Sequence, residues 1–465
     1  MKKGNNTRRL WLLLAWFGLV AIACNVSSNP PPTLPPRDNG SDLTPKATLG
    51  YATPLPGSET QSAPAGGQAG PGVDLALYHL LSEVDSDRMV MHIDTLVNFH
   101  TRHVNSPTNR LDYGVGAAFN YIMDQFRMIQ AQAPENFIIF PEGHEFNAQY
   151  DGTTTKQRNA VAVLMGTDEG AGTLVIGAHY DSRTDDLSDA SGFAPGADDN
   201  GSGVAAVLEI ARILSRYPQR MTIMFVLFAA EEVGMQGSRA FVEDYIIKND
   251  IPLVGMINVD TIGSWNDIEG NINDRDIRIY SAGPNDSSSR QFARAANFIG
   301  YNHGLDLNII VRDQMDREGR YGDHQAFSDA GYAALRFIEL LEDNNMREGR
   351  DTIGGVEPAY LLKSTRTILG VLAAMAGGPR PPRNVVMREA GDGQHTLVWE
   401  PVPDVRQYIV ALRSPDSLIF DQQFTVDEPR TAPWDEWDKF EAIAIAAVGN
   451  NGLVGPLTEE IAPPS

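Results

Sequence analysis

Between about residue 75 and residue 378 the chain alternates two kinds of apolar pattern. Residues 94–126 carry the mixed spacing of helical material, whereas the apolar stretches 137–140 and 159–165 read as strands. Residues 174–176 and 222–228 are near-continuous apolar runs bounded by polar turns, as expected of strands covered on both faces. Residues 204–214, between them, have the length and the Ala, Leu and Glu content of a helix. Strand, helix and strand at these lengths predict an α/β domain, a mostly parallel sheet with helices on both faces. After Gly377-Gly378-Pro379 and Pro381-Pro382 the character changes to short alternating strands at 396–399, 407–412 and 443–448. Turns at 391–393 and 449–452 separate them, which predicts a small C-terminal β-sandwich.

Length and composition fit this division. A chain of 465 residues exceeds one ordinary core, so two or three folded parts with connecting segments are expected. A net charge of −23 argues against nucleic acid as a partner, because phosphate binding needs clustered Lys and Arg. The N-terminus reads as an export signal: Lys2, Lys3, Arg8 and Arg9 precede an apolar run, 10–23, too short for an ordinary membrane span. The run ends at Ala21-Ile22-Ala23-Cys24, and Cys24 is the only cysteine, so it makes no internal disulfide. Its position resembles the acylation site of bacterial lipoproteins, implying an outward-facing membrane anchor through lipidated Cys24. A plain secretory signal, releasing a secreted protein, and an uncleaved anchor are the alternatives. Residues 25–74 are rich in Pro, Ser, Thr, Gly and Ala and read as an extended tether. The expected parts are therefore a signal segment at 1–24, a linker at 25–74, a main domain at 75–378 and a β-sandwich at 379–465.

The candidate chemistry sits at the ends of the apolar runs. His179 follows 174–176, Glu231 and Glu232 follow 222–228, and Asp260 follows 256–259. In a parallel sheet these positions converge at the carboxyl ends of the strands, where open α/β folds bind ligands. His179 and Asp181 are two apart, so an extended chain points both to one side. Asp181 can then hold the His179 ring by one nitrogen while the other takes a metal. Asp198 and Asp199 lie in the Gly-rich turn 195–203 ahead of the predicted helix. One such side chain suffices for a helix cap; two carboxylates near a His imply a cation. The adjacent Glu231 and Glu232 would repel one another unless a metal or a proton relieved them.

Gly177-Ala178-His179-Tyr180-Asp181-Ser182, Pro195-Gly196-Ala197-Asp198-Asp199-Asn200-Gly201-Ser202-Gly203, Ala229-Ala230-Glu231-Glu232-Val233-Gly234 and Asn258-Val259-Asp260 resemble, in that order, the motifs of the co-catalytic zinc aminopeptidases of metallopeptidase clan MH, which include secreted bacterial leucyl aminopeptidases. The resemblance spans about residues 75–376. It implies a zinc exopeptidase fold and two zinc ions (Zn2+) per chain. It also implies that His179 and Asp260 bind one ion, that Glu232 and a late histidine bind the other, that Asp199 bridges both, and that Glu231 is the general base. The late histidine is His324, in Tyr321-Gly322-Asp323-His324-Gln325-Ala326-Phe327 ahead of the strand-like stretch 333–338, with His303 as the competitor. Three protein ligands per ion would leave a place for a water. Peptides with free N-termini are the implied substrates. A glutaminyl cyclase or carboxypeptidase on the same scaffold, and a non-catalytic binding protein, are the alternatives. The C-terminal part, through Leu397-Val398-Trp399, Tyr408-Ile409-Val410 and Ala446-Ala447-Val448, resembles a fibronectin type III domain and could bind a cell-surface ligand.

Overall fold

The computed structural model describes residues 67–68 and 75–463, apart from 134, 318 and 343–347. The expected signal segment, Cys24 and almost all of the linker lie outside the described residues. No helix among the described residues is long and apolar enough to cross a membrane.

A nine-stranded mixed sheet forms the centre of the main domain. Its strands are β1 (Phe137–Ile139), β2 (His144–Tyr150), β3 (Thr153–Leu164), β4 (Thr173–His179), β5 (Thr222–Phe228), β6 (Leu253–Val259), β7 (Asp276–Ser281), β8 (Asn308–Val311) and β9 (Ala334–Glu339). The spatial order is β1-β3-β5-β4-β6-β9-β7-β8, with β2 paired to β3. The four central strands, β5, β4, β6 and β9, run parallel. All seven residues of β4 are buried, which explains its unbroken apolar run: it has no solvent face. The predicted helix appears as Gly203–Leu214, with all residues but Arg212 buried. Pro358–Gly377 and Gly114–Gln132 supply further helical cover.

One predicted element is divided. The stretch 94–126 belongs to two helices, Ser86–Val97 and Gly114–Gln132. Between them the chain turns through His100, at φ 70°, and through Asn105-Ser106-Pro107-Thr108-Asn109, residues that favour turns. The loop has its own anchor in the buried Arg102. Its guanidinium donates to the carbonyls of Leu96 (3.3 Å), Tyr180 (2.7 Å), Pro195 (2.5 Å) and Gly196 (2.8 Å). This one side chain joins the loop to the segment after β4 and to the Gly-rich turn.

The C-terminal region is antiparallel. Val405–Arg413, Gln422–Val426, Ala442–Gly449 and Val454–Leu457 form a sheet with the short strand Gly67–Gln68 on its edge. The hairpin Val386–Gly391 and Gln394–Val398 lies apart from it. Leu397, Trp399, Tyr408, Phe424, Trp434 and Trp437 form a core of their own. Residues of the alternate parity, including Ile409, Ala411, Ala446 and Val448, join the core of the main domain. The period of two along these strands thus serves two apolar interfaces rather than one interface and solvent.

Candidate metal centre

The carboxyl ends of the parallel strands bring together residues that are far apart in the chain. β4 ends in His179, β5 leads into Glu231 and Glu232, and β6 leads into Asp260. The Gly-rich turn reaches the same place, held from two sides. The two carboxylate oxygens of the buried Asp351 accept from the N–H of Asp198 and of Asp199, each at 2.8 Å. Gly196 has φ 50°, and a Cβ there would fall 2.6 Å from the Asp199 carbonyl oxygen and 2.7 Å from the Arg102 guanidinium. Only glycine fits. Ala230 and Thr261, beside Glu231 and Asp260, also have positive φ, 59° and 56°. For residues with a Cβ this is strained backbone of the kind stored at functional sites.

His179 Nε2 lies 3.2 Å from Asp199 Oδ1, 3.5 Å from Asp260 Oδ1 and 3.9 Å from Glu231 Oε2. One donor atom from each of His179, Asp199 and Asp260 lies within 4.8 Å of the others. His179 and Asp260 are buried, and the Asp199 side chain is 28% exposed, so the centre opens to solvent on the Asp199 side. The other ring nitrogen of His179 is 3.2 Å from the Asp181 carbonyl oxygen and 3.6 Å from Asp181 Oδ1. The Asp181 carboxylate also accepts from the N–H of Glu231 and of Glu232, both at 3.1 Å. Asp181 and Asp351 are thus a matched pair, each clasping two successive amides of a segment that carries the centre.

Glu232 and His324 are placed differently from the other expected ligands. Among the described residues, neither belongs to the group of donors around His179. Glu232 Oε2 pairs with Arg183 Nε at 2.8 Å. His324 is fully buried, with Nε2 at 2.9 Å from the Met315 carbonyl oxygen and Nδ1 without a hydrogen-bond partner. His303, the competitor, lies at the junction with the C-terminal sheet, where its Nε2 accepts from the Val454 N–H at 3.2 Å.

Burial dominates the electrostatics of the carboxylates and the imidazole gathered here. Burial raises Glu231 well above its ordinary value, with Glu232 and Asp323 adding to the rise against the charge of His179. Burial and Asp199 push Glu232 up to about 7, against Arg183. Asp323 is pushed up to about 7, chiefly by burial. Burial would lower His179, but Glu231 and Asp260 more than offset it and raise the imidazole well above its usual value. Burial would raise Asp260, yet Arg336 and His179 hold it far below the carboxylate range. A cation bound here would favour the ionised carboxylates and the neutral imidazole.

Arg336, Asp316, Arg183 and Asp351 complete the surroundings, and sequence reasoning passed over all four. Arg336 Nη2 is 3.0 Å from Asp260 Oδ2, and its Nη1 is 2.8 Å from Asp316 Oδ2. The signal for it was present: an arginine inside the apolar stretch 333–338 requires a buried acidic partner. Asp351 and Arg183 lie in polar segments whose sequence does not distinguish them.

A buried imidazole and carboxylates at the ends of parallel strands, with a largely buried glutamate beside them, define a metallohydrolase type of centre. Residues 159–372 match Peptidase family M28. A "Probable zinc metalloprotease" of Pyrenophora tritici-repentis is 30% identical over 348 residues, covering 67% of this chain and 79% of that protein. Another of the same description, from Pyricularia oryzae, is 29% identical over 423 residues, covering 83% and 84%. The LapA aminopeptidase of Legionella pneumophila has the same fold, with a TM-score of 0.52 at 17% identity over 68% of this chain and 78% of that one. LapB from Legionella pneumophila also has a TM-score of 0.52, at 19% identity over 67% and 77%. The chain belongs to peptidase family M28.

Proposed function

We propose that the protein is an exported zinc aminopeptidase that removes N-terminal residues from peptides. The observation that carries this reading is the cradle of His179, Asp199 and Asp260, with Glu231 Oε2 3.9 Å from the imidazole. One nitrogen and two carboxylate oxygens suit zinc, which binds such donors at about 2.0–2.2 Å and keeps a position open when catalytic. A second ion would take Asp199, Glu232 and His324. Burial lowers the His324 imidazole, which favours the neutral, liganding form, and its Nδ1 is an orphaned buried nitrogen. Zinc bound here would polarise the scissile carbonyl and acidify a water.

The chain's own groups then divide the work. Glu231, held by Asp181 through its backbone N–H, takes the proton of the attacking water and passes it to the departing amine nitrogen. Arg336 and Asp316 fix Asp260 from behind. The M28 membership and the "zinc metalloprotease" relatives support the reading. An acylated Cys24 would anchor the exported protein to the membrane. The test is a panel of aminoacyl-p-nitroanilides with N-acetylated counterparts, assayed with zinc and after chelation. Chelator-sensitive hydrolysis of the free-amine substrates alone is expected. Cleavage of acetylated substrates at equal rates would refute exopeptidase action on free N-termini.

A further inference from the structure

Residues 100–102 lie between the two segments that present His179 and Asp199, and they bond to both. Toward the Gly-rich turn, the His100 carbonyl accepts the Ala194 N–H at 2.9 Å, and the Arg102 guanidinium donates through Nη1 to the Pro195 carbonyl and through Nη2 to the Gly196 carbonyl. Toward the end of β4, Nε of the same group donates to the Tyr180 carbonyl. The Arg102 backbone is tied in as well. Its N–H donates to the Ser182 hydroxyl at 3.0 Å, its carbonyl accepts the Ser182 N–H at 3.4 Å, and the hydroxyl donates to the Ala194 carbonyl at 2.8 Å. The helix Ser86–Val97 supplies the base of this bracket through Leu96, whose carbonyl takes the second bond of Nη1.

The bracket acts on the centre through short stretches of backbone. Tyr180 follows His179 directly, and Gly196 stands three residues before Asp199. The guanidinium is planar and rigid, so carbonyls bound to its Nε, Nη1 and Nη2 are held at separations set by the group itself. The fit leaves no slack: Arg102 is fully buried, and one added carbon at Gly196 would come within 2.7 Å of it. Burial lowers the guanidinium only to about 10, so it keeps its charge at neutral pH and its hydrogen bonds are of the stronger, ionic kind. We propose that Arg102 is a positioning residue of the metal centre, whose guanidinium sets the spacing of the His179 and Asp199 donors by holding the carbonyls of Tyr180, Pro195 and Gly196 together. The spacing so set is the 3.2 Å between His179 Nε2 and Asp199 Oδ1. This inference rests on the metal-centre reading above and adds to it a residue that acts only through others. A residue that merely anchored its loop would affect stability and leave the donor geometry of the folded protein unchanged.

The test uses cobalt(II), which takes the same nitrogen and oxygen donors as zinc and whose visible absorption reads their geometry. The metal-free full chain is titrated with cobalt, and zinc affinity is read by chelator competition. Arg102→Lys keeps a cation but offers one nitrogen where three spaced donors are needed. It is expected to fold with an unchanged circular-dichroism spectrum, to give an altered cobalt spectrum, and to bind zinc about 10–100-fold more weakly, the range for groups that orient metal ligands. Arg102→Ala should behave likewise, and guanidinium ion added at a non-denaturing concentration, bound in the space left by the side chain, should return its cobalt spectrum toward that of wild type. Arg294→Ala is the comparison. It removes an equally buried guanidinium that donates to the Asn285 and Leu418 carbonyls, and it should lower the denaturation midpoint with the cobalt spectrum unchanged. A wild-type spectrum and zinc affinity in Arg102→Lys, an Arg102→Ala spectrum that guanidinium leaves unmoved, or an equal spectral change in Arg294→Ala would overturn the proposal. So would failure of both Arg102 variants to fold, which would assign the residue to the fold alone. Failure of the wild type to bind cobalt or zinc would instead refute the metal-centre reading, and the positioning role with it.

Discussion

Asp351 is the residue whose role is most sharply defined by geometry alone. Its two oxygens accept from the N–H of Asp198 and the N–H of Asp199 at 2.8 Å, so it fixes the turn that presents Asp199. Asp351→Asn replaces one acceptor with a donor that faces an N–H. Zinc affinity, measured by chelator competition, should fall about 10–100-fold; an unchanged affinity would mean that the turn keeps its form without the clasp. His92 supplies a prediction far from the centre. It is buried, with Nδ1 2.6 Å from Tyr121 Oη, and burial, then Arg88 and Arg212, lower its imidazolium to about 4. Its folded value lies below the unfolded value of 6.5, so the unfolded chain binds more protons between the two. His92 thus costs no stability above about pH 6.5, and stability is lost as pH falls from there toward 4. Between pH 7 and pH 5 the loss should be about 2 kcal/mol in urea denaturation, and His92→Asn should remove that part of the slope.

Elements carry the site because the sheet puts the ends of β4, β5 and β6 side by side. That much was legible: fully buried parallel strands leave unbroken apolar runs, and His179, Glu231 and Asp260 stand where those runs stop. What was not legible depended on long-range partners. Arg336 points from within β9 to Asp260 and Asp316, and the loop of Arg102 divides what reads as one helical stretch, because no local pattern encodes four carbonyls contributed by three segments. The docking of the C-terminal sheet belongs here too. Glu460 joins the buried Arg294, on the helix Ser288–His303, to the buried Arg413, on the strand Val405–Arg413. Glu460→Gln leaves two buried cations without their shared anion and should lower stability by about 3 kcal/mol. An unchanged denaturation midpoint would show that apolar contact alone holds the sheet in place.

At the scale of the whole molecule, an M28 peptidase domain carries a three-tryptophan β region on one flank, and we propose a tether and an export signal ahead of it. If Cys24 is acylated, Cys24→Ser should move the protein from the membrane fraction to the soluble exported fraction, followed by labelling with a fatty-acid analogue. We propose that Glu231 moves the proton in a metal centre built on His179, Asp199 and Asp260. The most direct measurement is kcat and zinc content of Glu231→Gln, side by side with wild type. A fall in kcat of about 10²–10⁴-fold, with bound zinc unchanged, is the predicted result. Activity near that of wild type in the zinc-loaded variant would contradict the assignment of the base.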